Sequence, residues 1–305
     1  MNLPLVTVLM AVYNGEAYLK ESIESILNQT FVDFEFLIID DASTDNSRML
    51  LGKYRDFRIR VVGNSQNLRL AKSLNRGIEM ARGKYIARMD ADDISLPQRL
   101  EKQVAFMESH PEIGVSGSWL ECFGARSQVW YYPDDPGIIL SNLLFQNQLG
   151  HPAVIMRREL MISKGLFYNP DYREAEDYDL WARCGEQFPL GNLPEVLLMY
   201  RWHERQASQS NLIEQRYFHG LVVRRQLERL DLHPSAQEME LHLMISFLEF
   251  DPTDSFRNAS RQWLQKIMEA NDYYLYYPRL ELRTVLENRW RNICIISGIP
   301  HSELF

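Results

Sequence analysis

Apolar positions along the first ninety residues alternate between two rhythms. Leu5 to Val12 (Leu-Val-Thr-Val-Leu-Met-Ala-Val) is near-continuous and β-branched, the pattern of a strand buried on both faces. Tyr13-Asn14-Gly15 breaks it. Leu19, Ile23, Ile26 and Leu27 then recur at i, i+4, i+7 and i+8 and predict a helix. Asn14 or Gly15 is placed to cap that helix, and Glu16 suits the positive end of its dipole. Phe34 to Ile39 predicts a second strand, ending in Asp40-Asp41, with Ser43-Thr44-Asp45-Asn46 as a helix start. Ile59 to Val62 is a short third strand. Leu70, Leu74, Ile78 and Ala81 mark a helix closed by Gly83, and Tyr85 to Met89 is a fourth strand. Strands alternating with helices over short links predict an α/β fold, a parallel sheet covered on both faces. Right-handed crossovers set the strand C-termini on one edge, where such sheets bind ligands. Tyr13, Asp40-Asp41 and the acids from Asp90 to Asp93 should therefore converge.

The rhythm loosens after Asp93. Leu100, Val104 and Met107 predict a helix begun near Pro97. Ile113 to Trp119 and Ala153 to Met156 read as strands, with a helical piece at Ile139 to Phe145 between them. Glu176 to Arg183 reads as a helix and Leu197 to Arg201 as a last strand. From about Asn211 the pattern becomes helical to the end, punctuated by Pro234, Pro252 and Pro278.

The 305 residues carry a net charge of −8, which argues against nucleic acid as the main partner. No apolar run approaches the ~18–20 residues of a membrane span. The opening Met1-Asn2-Leu3-Pro4 lacks the basic region and apolar stretch of a signal peptide. Cys122, Cys184 and Cys294 are far apart and odd in number, as in a cytosolic protein with reduced thiols, and no Cys/His spacing suggests zinc.

The chemistry concentrates in Asp90-Ala91-Asp92-Asp93. Three carboxylates in four positions follow a strand, and burying such charges unpaired costs several kcal/mol or more each. A cation resolves the conflict. Two carboxylates around Mg²⁺ or Mn²⁺, with the other positions left to water and phosphate oxygens, is a common arrangement in phosphate chemistry.

Val6 to Gly15, Ser25 to Phe31 (Ser-Ile-Leu-Asn-Gln-Thr-Phe) and Phe34 to Asp45 closely resemble the opening of family 2 glycosyltransferases, and Asp90-Ala91-Asp92-Asp93 is similar to that family's Asp-x-Asp site. The resemblance covers about Leu5 to Ser210 and rests on several motifs in the right order. It implies a GT-A fold (a Rossmann-like nucleotide-binding sheet) in residues 1–210, with 1–93 as the nucleotide-sugar half and 94–210 as the acceptor half. Residues 211–305 would be a C-terminal helical extension. It further implies a nucleotide-sugar donor, with a UDP-sugar favoured, and inversion at the sugar carbon.

Under that resemblance Tyr13 supplies a flat partner for uracil and Asp41 an acceptor for its N3–H. The plainer alternative is a turn tyrosine and a helix-capping aspartate. Ala11, Asn67, Lys72, Asp90 and Ala91 complete the implied donor site. Arg69 stands where the family often has glycine, which weakens any claim that this loop's backbone closes on the nucleotide. Asp92 is assigned to the metal, Asp90 to the metal or the ribose, and Asp93 to the turn toward Pro97. Glu176-Asp177 alone would read as the acidic first turn of a helix. The resemblance makes Asp177 the base, with Glu174 and Asp179 close enough to be confused with it. Gly150-His151-Pro152-Ala153 resembles an acceptor-side segment, to which Glu176 and Arg201 are also assigned. Tyr200 to Ser208 resembles the family's closing Arg-x-His segment and makes His203 a third metal ligand or a diphosphate contact.

Leu198 stands where processive synthases carry Gln before Arg-Trp, which favours addition of a single sugar. The acceptor would be a glycan or lipid-linked hydroxyl of a surface polysaccharide. Arg216, Arg224, Arg225 and Arg229 offer a basic face for anionic lipid, and so a peripheral position on the inner face of the cell membrane. The rivals are a sugar-nucleotide pyrophosphorylase, whose glycine-rich basic loop after strand one is missing, and an inactive sugar-nucleotide-binding protein.

Overall fold

The computed structural model describes residues 3–203, 212–296 and 304–305. The predicted alternation is present. β1 (Val6–Val12) lies between β2 (Phe34–Asp40) and β4 (Tyr85–Met89), and β3 (Ile59–Gly63) flanks β2, all parallel. The register pairs Val12 with Asp40 and Met10 with Met89. The chain therefore leaves all three strands on one edge of the sheet, at Tyr13, Asp41 and Asp90.

Alternate side chains of β1 feed two cores. Val6, Val8, Met10 and Val12 pack with Leu19, Ile23 and Ile26 of α1 (Leu19–Leu27) and with Leu100, Val104 and Met107 of a helix described below. Leu9, with Leu37 and Ile39 of β2, packs on the other face. α2 (Ser47–Leu51) is one short turn, and α3 (Leu70–Met80) lies against β1. A Cβ on Gly77 would come within 2.2 Å of Leu9 Cδ1, so only glycine allows that approach.

Beyond β4 the sheet continues as a mixed one. β5 (Ile94–Ser95) and α4 (Arg99–Ser109) follow the acids. β6 (Val115–Gly124), β7 (Gln128–Trp130), α5 (Pro136–Asn142), a 3₁₀ turn (His151–Ala153), β8 (Ile155–Arg157), α6 (Arg158–Ser163), α7 (Glu176–Gly185) and β9 (Leu190–Trp202) come next. The strand order is β3-β2-β1-β4-β8-β6-β9-β5, with β7 paired to β6. β5 and β7 were not predicted, being too short for an alternating pattern to register. The run at Ala153 divides between the 3₁₀ turn and β8, because Pro152 withholds a ladder N–H. β5 matters for the site. Ile94 pairs antiparallel with Met199, which draws the end of β9 over the acids of residues 90–93.

α8 (Leu212–Glu228), α9 (Ala236–Phe247), α10 (Asp254–Tyr274) and α11 (Arg279–Ile296) each begin one or two residues after a predicted break, except α8. The boundary read at 210/211 lies outside the described residues. These helices share the core of Leu9 through Val222, Leu227, Trp263, Leu286 and Trp290. No helix among the described residues is long and apolar enough to cross a membrane.

Of the four arginines expected to offer a basic face to lipid, three are paired within the fold. Arg216 pairs with Glu240 and Glu249, Arg225 with Asp179, and Arg229 with Glu186. The neutralising acids lie in α7 and α9 or just after them, far along the chain from the arginines, so the local sequence did not reveal them.

His242 is fully buried in α9. Its Nε2 donates to Leu144 O (3.0 Å) and its Nδ1 accepts from Trp263 Nε1 (3.0 Å). Burial pushes its pKa down to about 3, against the opposing effect of the Leu144 bond. Unfolded histidine protonates near pH 6.5, so between those values the unfolded chain holds a proton that the folded one does not. Falling pH then favours unfolding by up to about 1.4 kcal/mol per unit. In urea denaturation the wild type should lose more stability between pH 7 and pH 4.5 than His242→Gln. Equal losses would show that this histidine does not set the acid limit.

Candidate active site

Two loops are laced together at the sheet edge. Asn14 N donates to Ser43 Oγ (3.1 Å), and Asn14 Oδ1 accepts from Thr44 N (2.8 Å) and Asp45 N (3.3 Å). Gly15 N donates to Ser47 Oγ and Glu16 N to Asp45 Oδ2, while Glu16 Oε2 accepts from Asn46 N. These bonds correct two expectations. Asn14 does not cap α1, which starts only at Leu19, because its side chain serves the neighbouring loop. Ser43 to Asn46 are not helical: the amides of Thr44, Asp45 and Asn46 donate across the gap, that of Ser43 donates to Asp40 Oδ1, and the helix starts at Ser47.

On this frame Tyr13 is half exposed and Asp41 is 3% exposed. Asp41 N donates to Val12 O (2.8 Å), and its Oδ1 accepts from Asn64 Nδ2 (2.6 Å) and Leu68 N (2.8 Å). Asp41 thus holds the loop of residues 64–69 shut. Within that loop Asn67 Oδ1 accepts from Arg69 N (3.1 Å), and Arg69 has φ +69°. That left-handed backbone explains why glycine is the easy residue there. Lys72 is exposed on the first turn of α3. Asn75 grips the Tyr168 backbone with both amide atoms, each at 2.8 Å. Ala11 is half-buried in β1, and Ala91 sits against Gly15.

The acid cluster stands on a buried arginine. Arg88, 2% exposed in β4, meets both oxygens of Asp90 (Nη1–Oδ2 2.6 Å, Nη2–Oδ1 2.5 Å). Its carbonyl accepts from Arg99, itself fully buried. Burial pushes the Asp90 carboxyl up to about 6 despite Arg88, and the charges of Asp92 and Asp177 add to the rise. Asp92 Oδ2 lies 3.0 Å from His203 Nε2, whose ring packs on Tyr18.

Asp93 is corrected. It is fully buried, and Oδ1 accepts the Arg201 backbone N–H (2.8 Å) instead of capping the turn toward Pro97. Arg201, expected on the acceptor side, is a brace: Nε donates to Asp92 O (2.7 Å), Nη2 pairs with Glu21, and the guanidinium lies over Tyr18 and Phe123. β5–β9 pairing brings these distant positions together.

One oxygen each from Asp90, Asp92 and Asp93 lies within 4.8 Å of the others, and Asp93 Oδ2 is buried with no hydrogen-bond partner. A buried, unpartnered carboxylate oxygen among other acids fits a hard divalent cation. Asp92 is the most exposed of the three carboxylates, and His203 lies beside it.

Asp90 and Asp92 should separate in stability. Removing Asp90 strands a buried guanidinium, a loss on the order of 3 kcal/mol, whereas the Asp92 side chain is a third exposed. Thermal unfolding should show a clear fall for Asp90→Ala and little change for Asp92→Ala; equal values would mean that the Arg88–Asp90 pair is not structural.

Asp177 opens α7. Its Oδ1 accepts from Tyr178 N (2.7 Å) and its Oδ2 from Asn147 Nδ2 (2.8 Å). Burial holds its carboxyl above the ordinary range, and Tyr178 N–H, Arg88 and Asn147 pull it back. Glu176 is pushed up to about 7 by burial and by Asp177. Asp179 is distinguished from both: fully buried, it binds Arg183 and Arg225. Glu174 sits at φ +59° before the helix. His151 Nε2 meets Tyr168 OH at 2.9 Å, and burial with the Arg88 charge keeps its pKa far below the usual value, so it is neutral.

The field of Arg88 reaches Asp90, Asp93, Glu176, Asp177, His151 and Tyr168. The strand-end acids and the α7 carboxylates therefore share one site. Sequence reading missed Arg88, Asn147 and Tyr168. An arginine inside an apolar strand run, two residues before an acid, was the signal for the first.

A nucleotide-binding type of parallel sheet, with acids at its edge and a helix-borne carboxylate facing them, is a GT-A-type arrangement. The family model for glycosyl transferase family 2 matches residues 7–162, and the chain belongs to that family; it is a glycosyltransferase. It is 34% identical over 286 residues to an uncharacterized glycosyltransferase of Haemophilus influenzae, covering 90% of this chain and 88% of that one. It is 33% identical over 218 residues to the O-antigen biosynthesis glycosyltransferase WbnJ of Escherichia coli, covering 69% and 84%. Among solved structures, S. aureus TarS 1–349 in complex with UDP-GlcNAc superposes with a TM-score of 0.65 at 18% identity, over 97% and 93% of the two chains. The mannosyltransferase PcManGT from Pyrobaculum calidifontis, in complex with GDP-Man and Mn²⁺, gives 0.60 at 15% identity, over 98% and 88%. At those identities the structures bear on the fold alone.

Proposed function

We propose that the protein transfers a single sugar from a nucleotide-sugar, a UDP-sugar by preference, to a hydroxyl of a glycan or lipid-linked acceptor in surface polysaccharide synthesis, with inversion and with a divalent metal. The observation that carries the reading is the Asp90–Asp93 cluster, with His203 beside Asp92 and the charge of Asp177 felt at Asp90, on the sheet edge where the chain also leaves β2 at Asp41. The polysaccharide assignment draws on WbnJ, and the nucleotide-sugar and metal on the TarS and PcManGT complexes.

Tyr13 stacks on the base and Asp41 accepts from it, with Ala11, Asn67, Lys72 and Ala91 along the nucleotide. Asp90 serves the ribose or the metal. Asp92 and His203 would hold Mn²⁺ or Mg²⁺, and such an ion would supply positive charge toward the leaving nucleotide diphosphate. Asp177 takes the proton of the acceptor hydroxyl as that oxygen attacks the anomeric carbon; the C–O bond to the diphosphate breaks, and its electron pair leaves with the nucleotide. Glu176 and His151 line the acceptor side. Leu198, buried in β9, occupies the place of the processive glutamine, in keeping with one addition per encounter. Attachment to membrane through the arginines of α8 is not part of the proposal, since Arg216, Arg225 and Arg229 are paired.

The test is a panel of UDP-, GDP- and dTDP-sugars with Mn²⁺, read as nucleotide release with and without chelator. Metal-dependent release from one nucleotide class supports the reading. Tight binding without release would make the protein a sugar-nucleotide binder, and release unaffected by chelator would remove the metal.

A further inference from the structure

The C-terminal helices have no place in the chemistry above, yet they make a set of polar contacts close to it. Segment 143–147 runs from the end of α5 to Asn147, the hydrogen-bond partner of Asp177. Three successive carbonyls of that segment are held from the C-terminal region. Leu143 O accepts from Gln226 Nε2 (2.7 Å), and also from Tyr178 OH of α7. Leu144 O accepts from His242 Nε2 (3.0 Å) and Phe145 O from His219 Nε2 (2.9 Å). Gln146 returns the contact by donating to Ser246 O. Trp263 Nε1 donates to His242 Nδ1 and so fixes the tautomer that donates to Leu144. The His242 ring stacks on Phe145, centroids 4.7 Å apart and 3° from parallel.

The turn of α7 that carries Asp177 is held from α8. Arg225 Nη1 meets Asp179 Oδ1 at 2.5 Å, and Asp179 lies two residues beyond Asp177 in the first turn of α7. Arg183 takes the second oxygen of Asp179 (2.7 Å), so this fully buried carboxylate has a guanidinium on each oxygen. Neighbouring residues of α8, Arg225 and Gln226, therefore reach the two segments that meet at the Asn147–Asp177 bond.

We propose that α8 is the positioning element of the base: Arg225 sets the first turn of α7, and Gln226 and His219, joined by His242 of α9, set the carbonyl track that carries Asn147. This rests on Asp177 being the base. A hydrogen bond at 2.8 Å transmits a displacement of either partner, and a misplacement of about 1 Å can cost ~10²-fold in rate. The donor site is built on β1, β2 and β4 and is not touched by these contacts, so its affinity is independent of them.

The test uses the full chain with the donor found by the panel above. Gln226→Leu and Arg225→Met should lower kcat by about tenfold or more, with the KM for donor and the equilibrium affinity for its nucleotide within about twofold of wild type. Arg225→Lys, which keeps a cation on Asp179, should recover most of the rate. Hydrogen exchange, which needs no substrate, should show faster exchange at residues 143–149 in Gln226→Leu and at 176–180 in Arg225→Met, with β1, β2 and β4 still protected. A proportional fall in kcat and donor affinity, or exchange that rises throughout the molecule, would reduce α8 to general support and overturn the proposal. Unchanged exchange at both segments would do the same. If Asp177→Asn keeps wild-type turnover, the base assignment itself fails, a result separable from every outcome of the α8 variants.

Discussion

Asp177→Asn should lose about 10²–10⁴-fold in turnover, the usual worth of a positioned general base, while its affinity for the donor nucleotide stays near wild type. The substitution is nearly isosteric, and the amide oxygen can still accept from Tyr178 N, so the first turn of α7 should survive. In the proposed mechanism the protonation of this carboxylate decides the rate. Burial raises its pKa above the ordinary aspartate value of about 3.9. As pH falls through the raised value, the base takes up a proton and cannot accept one from the acceptor hydroxyl, so the acid limb of kcat/KM lies above pH ~4. The variant's residual rate should lack that limb. Wild-type turnover in Asp177→Asn would remove the base assignment. Lost donor affinity together with lost rate would mean that Asp177 serves binding.

Asp92→Ala should abolish the gain in nucleotide affinity that Mn²⁺ provides, by more than about tenfold, while leaving the metal-free affinity unchanged. Titration calorimetry of the nucleotide with and without Mn²⁺ measures both. His203 is 3.0 Å from the Asp92 carboxylate, so His203→Ala should follow the same pattern more weakly. Asp90→Ala differs, because it also removes the counter-ion of Arg88 and should unfold more easily. If Asp92→Ala kept the full effect of Mn²⁺, the cation would have to sit on Asp90 and Asp93, where Asp93 Oδ2 is without a partner.

Periodicity and local chemistry carried much of this protein. Near-continuous apolar runs bounded by turns are strands because both faces of a parallel sheet are covered, and β1, β2 and β4 fall within a residue of the runs that predict them. Their C-terminal edge follows from chain connectivity alone, so the meeting of Tyr13, Asp41 and Asp90 was legible without coordinates. Asp40, beside Asp41, is buried and accepts from Ser43 N. The acid run also announced itself, since charges following a strand require a partner.

The tertiary structure decided what those charges touch. Local sequence makes Asn14 a helix cap and Asp93 a turn cap, because a short polar side chain can serve either its own backbone or a distant one. The fold chose the distant partner in both cases, Thr44 for Asn14 and Arg201 for Asp93. Likewise Glu176, Asp177 and Asp179 are equivalent along the chain, all in one acidic first turn. They separate only because α8 delivers Arg225 to Asp179 and the segment after α5 delivers Asn147 to Asp177. The sequence by itself determined the sheet, the edge at which its strands end and the gathering of acids there. Which acid is clamped, which faces its fellows and which can act as a base depended on contacts between residues up to a hundred or more positions apart, and no local pattern encodes those.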